Sequence, residues 1–178
     1  MNAKLQKGFV GVTIILIGAL VLGSGASPAQ SETDHKKAIQ QIADAIKNGK
    51  GVVAKKLAAK AAADVKDLAD LMHLYRPEKR GGFGLEIGLR QLVKMPNAKI
   101  GAKFGSLSAA MAEVILAKAP IAGPKGKNPK AWAGFAQRLR NASTDLEQAA
   151  RKKNAKAIQA AAVQINDACV GCHSIFKE

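Results

Sequence analysis

The chain has 178 residues and is strongly basic, with 28 Lys and Arg against 13 Asp and Glu and a formal charge of +15. Long-range attraction therefore favours an acidic protein partner, an anionic membrane surface or nucleic acid. Aromatic residues make up 4% of the chain, which leaves few rings for stacking on bases and argues against nucleic acid. A solvated helical surface with a basic bias is the alternative interpretation of the same charge.

The N-terminus has the order of segments that is typical of a secretory signal peptide. Lys4 and Lys7 precede an uncharged apolar run from Phe9 to Leu22, and small residues follow over 23–29. The run has fourteen residues, fewer than the roughly 20 that a membrane-spanning helix needs, which favours cleavage. We predict that residues 1–29 are a signal peptide, with an uncleaved anchor as the alternative.

If the signal peptide directs export, residues 30–178 are in the periplasm or an equivalent compartment. We expect them to fold there as one domain. This part keeps a charge of +13, because residues 1–29 carry two lysines and no acidic residue. Its lysines occur along every predicted helix. We expect no later segment that is long and apolar enough to span a membrane.

An all-α fold is predicted because residues 31–178 are rich in Ala, Leu, Lys and Gln and show no strict alternation of apolar and polar residues. Residues 76–101 have little clean periodicity and several Gly and Pro, which predicts an ordered loop with room for one helical turn. The predicted helices run from Ser31 or Thr33 to Asn48, from 52 to 75 before Pro77, over 102–118, from the Asn128 cap and Pro129 onward, and from Asn154 to 176.

Two helical hairpins, residues 34–75 and 129–176, have similar layouts, and residues 76–128 form a loop and helix insertion between them. Each hairpin ends in an apolar cluster with a histidine, at 72–75 and at 172–176. If the helices alternate in direction, the second and last helices end at the same pole of the molecule. We therefore expect the two clusters to lie close together.

The sequence Cys169-Val170-Gly171-Cys172-His173 is the attachment signature of c-type haem. In such sites two thiols add to the two vinyl groups of the haem, and the adjacent imidazole binds the iron. The predicted cofactor is one covalent haem c with its iron, held by Cys169 and Cys172, with His173 as the proximal ligand. The apolar stripe of the last helix includes both cysteines, so we expect the haem-bearing residues to face the core.

Three other interpretations of the motif agree less well with the rest of the chain. A zinc site needs two more ligands, and His35 and His73 lack the usual paired spacing. A thioredoxin-like redox pair belongs in a βαβ context, which a helical chain lacks. A structural disulfide would close a very small loop and add little stability.

Further residues before and within the last helix match a family pattern: Phe135, Leu139, Leu146, Ala149, Ala150, Ala157, Ala161, and then the run Ala168-Cys169-Val170-Gly171-Cys172-His173-Ser174-Ile175-Phe176-Lys177. With its haem motif near the C-terminus, this part of the chain resembles the final two helices of the class II cytochromes c, the cytochrome c-prime family. The resemblance covers residues 129–178 well and 34–75 more loosely. Residues 76–128 are a longer insertion than that family has.

The resemblance implies an antiparallel four-helix bundle that holds one haem, with His173 as proximal ligand and either an open distal face or a Met as sixth ligand. In that family the sixth ligand comes from the first helix, where this chain has Ile39 and Ile42 and no Met. That departure either moves the ligand elsewhere or leaves the position open.

Met72 is the preferred sixth ligand, because it lies on an apolar stripe at the predicted haem pole. A Met in such a stripe is more commonly a core residue, and that alternative stays open. His35 and His73 are rival ligands, although histidines near helix ends are usually solvated. Met95 and Met111 are more remote candidates.

The predicted function is electron transfer by a mono-haem c-type cytochrome between acidic redox partners. The alternatives are a five-coordinate haem protein that binds a small gas and a haem subunit that docks on a larger redox complex through the loop 81–84. No acid–base pair or activated nucleophile stands out, so we expect no enzyme. Nucleic acid is not expected as a partner, and membrane-surface association and a homodimer are left open.

Overall fold

The computed structural model describes residues 28–118 and 128–176, with side chains from residue 32 onward. Within these residues the chain forms α-helices and one 3-10 turn and has no strand, which confirms the predicted all-α fold. The predicted signal peptide lies almost wholly outside the described residues. The helices are α1 (Pro28–Lys47), α2 (Gly51–Asp64), α3 (Leu68–His73), α4 (Leu85–Lys94), α5 (Ala98–Ala117), α6 (Pro129–Arg151) and α7 (Ala155–Phe176), and the 3-10 turn spans Glu78–Arg80.

The first helix begins at Pro28, earlier than the predicted start at Ser31 or Thr33. The predicted starts of α6 and α7 are confirmed. The side chain of Asn128 accepts a hydrogen bond from the backbone N–H of Lys130 at 2.9 Å, with Pro129 in the first turn. Asn154 caps α7 in the same way, since its side chain accepts from the N–H of Ala157 at 3.1 Å.

The prediction of a single helix over residues 52–75 is wrong, because the helix is interrupted at Val65 and the segment forms two helices, α2 and α3. Val65 is extended, and the side chain of Asp67 caps α3 by accepting from the N–H of Ala69 at 2.9 Å. At the end of α2, the ammonium group of Lys118 donates to the carbonyls of Ala62 and Val65. These contacts satisfy carbonyls that a continuous helix would have bonded internally.

The prediction of a loop over residues 76–101 is also wrong, since only 74–84 and 95–97 are non-helical apart from the 3-10 turn. The intervening α4 buries Leu85, Leu89 and Leu92 at spacings of four and three residues. The next helix begins at Ala98 rather than 102, because the Asn97 side chain accepts from the N–H of Ile100 at 3.0 Å.

Helix α5 is the most buried element and packs against α1, α2, α4, α6 and α7. It lies between the two hairpins, so the predicted arrangement, in which the hairpins contact each other and residues 76–128 are an insertion, is not confirmed. By length and composition α5 could cross a membrane, contrary to our expectation. Its most apolar window is 72% buried by the other helices, which is the pattern of a core helix.

Contacts at the two ends of α7 show the relative directions of helices α4 to α7. The ring N–H of Trp132 donates to the carbonyl of Ile115 at 3.1 Å, and the rings of Trp132 and Phe176 meet edge to face at 5.1 Å. At the other end, the Gln159 side chain donates to the carbonyl of Val93 at 2.6 Å. Helices α4 to α7 therefore alternate in direction, and the C-terminus of α7 lies at the Trp132 end of the molecule.

Candidate functional site

The Cys169–His173 motif lies in the last two turns of α7. Cys169 and Cys172 are free thiols one helical turn apart, and both are half-buried. Cys169 packs against the core as predicted, whereas His173 is exposed, so the prediction that the haem-bearing residues face the core is wrong for His173. Rotation by about 100° per residue explains the difference, since it turns His173 away from the direction of Cys172.

Tyr75 lies beside the two thiols. Its hydroxyl is buried, and burial, followed by the charges that Cys169 and Cys172 carry when ionised, raises the pKa of Tyr75 well above its ordinary value of 10.0. Met72 precedes Tyr75 by one turn, and the Tyr75 N–H donates to the Met72 carbonyl at 3.1 Å. Tyr75 of the cluster 72–75 and Cys172 of the cluster 172–176 are close enough to interact electrostatically, which agrees with the expected proximity of the two clusters.

On the side of α6, Phe135 and Arg138 approach the motif. The Arg138 guanidinium lies over the Phe135 ring at 4.2 Å from its centroid. The same ring packs so closely against Gly171 that a Cβ atom there would lie 2.5 Å from it. Glycine at this position therefore allows α6 and α7 to approach at the level of the motif.

Burial dominates the acidity of both thiols. It raises the pKa of the Cys169 thiol to about 11, with a further contribution from Cys172. Burial also raises the pKa of Cys172, but the Arg138 guanidinium opposes this effect by stabilising the thiolate. Both side chains are therefore neutral thiols at pH 7, and Cys169 is the less easily ionised of the two.

In the chain without attached haem, this difference predicts unequal alkylation. At pH 8 a thiol of pKa about 11 is about a hundredfold less ionised than one at the ordinary value of 9.0, and only the thiolate reacts. We expect iodoacetamide to modify Cys172 before Cys169, with both rates rising as the pH rises. Peptide mass spectrometry measures the order, and unfolding in urea should remove it. Equal rates in the folded chain would contradict the assigned burial.

The structure separates the candidates for a sixth ligand. Met72 is half-buried in α3 and packs against the core. It lies one turn before Tyr75, which is near the two thiols. His73 is half-buried in the same helix. Met95 is 70% exposed beyond the end of α4, and Met111 is fully buried in α5. Among these candidates, Met72 and His73 are within three residues of Tyr75, the residue beside the cysteines, and ligation by Met72 stays a prediction.

His35 is buried in α1, and its Nδ1 atom has no hydrogen-bond partner among the described residues. Across the same residues, no three His, Cys, Asp or Glu side chains group together as metal ligands. Arg138 is a site residue that sequence reasoning missed. Its spacing of three residues from Phe135 on α6 is the one signal that could have found it.

Comparisons of this chain with models of protein families, with curated proteins and with solved structures find no match. Any function must therefore be argued from the residues of the site.

Proposed function

We propose that this chain is a mono-haem c-type cytochrome of the class II kind that transfers electrons in an exported compartment. The observation that carries the proposal is the pair of free thiols, Cys169 and Cys172, one turn apart on α7, with His173 directly after them. Cys-x-x-Cys-His in this local geometry is what covalent haem attachment requires.

The residues around the motif fit such a group. Val170 lies one turn before His173 on the same side of α7 and is 59% exposed although it is apolar. A flat apolar group on this side of α7 would remove its surface from water. The buried Tyr75 hydroxyl beside the thiols lacks a hydrogen-bond partner among the described residues, and a bound group could satisfy it.

In this proposal Cys169 and Cys172 hold the haem through two thioether bonds, and His173 supplies a nitrogen to the iron. When bound, the haem supplies a centre that accepts and releases one electron. The half-buried cysteines and the half-buried side chain of Tyr75 keep water away from one side of the group. Burial of this kind is one of the factors that set the reduction potential of a haem.

The packing supports a four-helix bundle as the frame of this site, with a different membership from the predicted one. Helix α4 packs against α5, α5 against α6, α6 against α7, and α7 against α4. Their directions alternate, as in an antiparallel bundle. The α1–α2 hairpin covers the remaining face of α5, so the proposed bundle consists of α4 to α7.

The proposed partners are acidic redox proteins. Arg76, Lys79 and Arg80 are exposed in the segment that directly follows Tyr75, and Arg138 is exposed beside Cys172. These cations contribute positive potential near the site, which speeds encounter with an acidic protein and loses strength as salt screens it. The same positive charge favours association with an anionic membrane surface. The proposal includes this association and a homodimer as further options.

Visible spectroscopy of the purified protein tests the proposal. We expect a pyridine haemochrome of c type, one haem per chain, and reversible oxidation and reduction with no response to carbon monoxide. A high-spin spectrum that shifts with carbon monoxide would instead indicate a gas-binding haem protein. A protein that carries no haem after expression with a haem-attachment system would overturn the proposal.

Replacing Met72 by Ala tests the sixth ligand. If the Met72 sulfur binds the iron, its removal opens the position, so carbon monoxide should bind M72A and the far-red band of Met ligation should disappear. Met95→Ala is the matched control, because Met95 is 70% exposed at the far end of α4. An M72A spectrum identical to that of the parent would show that Met72 is only a core residue.

A further inference from the structure

The hydroxyl of Tyr75 is a buried polar group without a hydrogen-bond partner among the described residues. Its oxygen is shielded from solvent and makes no hydrogen bond within the described residues. Leaving a buried hydroxyl unsatisfied costs about 1–3 kcal/mol, and such groups in folded proteins usually point to a missing water, ion or ligand. The charges of ionised Cys169 and Cys172 act on the Tyr75 hydroxyl, so this group lies near the proposed attachment site.

The backbone of Tyr75 and Arg76 is held in place by two hydrogen bonds. The carbonyl of Tyr75 accepts from the N–H of Glu86 at 2.9 Å, and the carbonyl of Arg76 accepts from the N–H of Gly84 at 2.8 Å. A Cβ atom on Gly82 would lie 2.0 Å from the Arg76 carbonyl oxygen, so only glycine allows this close turn. The turn fixes Tyr75 between the start of α4 and the thiols of α7.

Other polar groups around the motif are already engaged. The Ser174 hydroxyl donates to the carbonyl of Gly171 at 2.8 Å, and the Arg138 guanidinium stacks on Phe135. Tyr75 is thus the buried hydrogen-bond donor near the cysteines that remains available.

We infer that the Tyr75 hydroxyl donates a hydrogen bond to the haem attached at Cys169 and Cys172, and that Tyr75 thereby helps to set its reduction potential. The inference rests on the proposed function. The acceptor is an oxygen or nitrogen atom of the group, either a carboxylate side chain of the haem or a ligand on its iron. Reduction adds one negative charge to the haem as a whole, so the partial positive charge of a phenolic hydrogen near the haem favours the reduced form.

Tyr75→Phe in the haem-loaded protein tests the inference, because it removes the hydroxyl and keeps the ring. Loss of one hydrogen bond should reduce the ratio of reduced to oxidised protein at a fixed potential by about two- to tenfold. Ser143→Ala is the matched control: its hydroxyl is also buried, but donates to the Leu139 carbonyl within α6 at 2.7 Å. We expect the potential of the control to stay at that of the parent.

Two further readouts identify the acceptor. If Tyr75 donates to a ligand on the iron, the variant should show a changed spectrum of the native ligand. If Tyr75 donates to a haem carboxylate, the pH dependence of the potential should change while the ligand spectra stay the same. A Y75F protein with normal haem content, an unchanged potential and unchanged ligand spectra would overturn the inference.

A second measurement needs no variant, because Tyr75 is the single tyrosine of the chain. Ultraviolet resonance Raman bands of tyrosine report whether the phenol donates a hydrogen bond, and here they report on Tyr75 alone. We expect the bands of a donor in the haem-loaded protein. Bands of a phenol without a hydrogen bond would refute the inference even if Y75F does not fold. Absence of haem from the parent protein would be recognised separately by its haemochrome and would refute the proposed function instead.

Discussion

Replacing Cys169 and Cys172 together by serine is expected to abolish covalent haem attachment. The chain has two cysteines, so the double variant has no thiol that could form a thioether bond. Haem staining after denaturing electrophoresis should be positive for the parent and negative for the double variant. Each single variant keeps one thioether, so it should stay stained but give a shifted pyridine haemochrome, because one vinyl group remains conjugated.

Ser174→Ala is the control for this pair. Its hydroxyl donates to the carbonyl of Gly171 in the same turn of α7, and the residue is exposed. The variant should therefore attach haem as the parent does. Haem that stays bound to the double serine variant through denaturing electrophoresis would show that attachment does not use these thiols.

Replacing Gly105 by Ala is expected to destabilise the protein, although alanine is the better helix former. A Cβ atom on Gly105 would lie 2.7 Å from the backbone nitrogen of Glu147 and 2.9 Å from the carbonyl oxygen of Ser143. Both atoms belong to the backbone of α6, which cannot retreat without separating α5 from α6. Overpacking of this kind costs about 1–3 kcal/mol, which urea-induced unfolding followed by circular dichroism would measure.

Gly134→Ala is the matched control and should have the opposite sign. Gly134 also lies inside a helix, α6, but the nearest atom to its Cβ position is the end of the flexible Arg138 side chain at 3.9 Å. Without a clash, the gain in helix propensity should stabilise the protein by about 0.5–1 kcal/mol. A stabilised G105A variant would contradict the close approach of α5 and α6.

The residues of the Cys-x-x-Cys-His motif could be predicted from the sequence, but the residues that pack around the motif could not. Two thiols and an imidazole at fixed spacing match the signature of haem attachment, so Cys169, Cys172 and His173 could be selected from the sequence. The neighbours could not be selected so directly. Arg138 is one of 28 basic residues. It reaches Cys172 only because Gly171 lets α6 approach α7, and that approach depends on the packing of both helices.

The fold shows the same division at the level of single helices. Local signals placed the starts of α6 and α7 correctly, because Asn128 and Asn154 bond to N–H groups within three residues of themselves. Periodicity alone failed at 52–75. The break after Asp64 is stabilised by Lys118, which is 53 residues away from Val65 and whose role no local pattern reveals.

By itself the sequence determined the helical class, the starts of α6 and α7, and the Cys-x-x-Cys-His motif, because each depends on residues within one or two turns of each other. Only the tertiary structure placed α5 between the two hairpins, left His173 at the surface, and put the unpaired hydroxyl of Tyr75 beside the cysteines. These features depend on contacts between segments far apart in the chain. The packing of whole helix faces decides them, and many sequences with the same periodicity could pack differently.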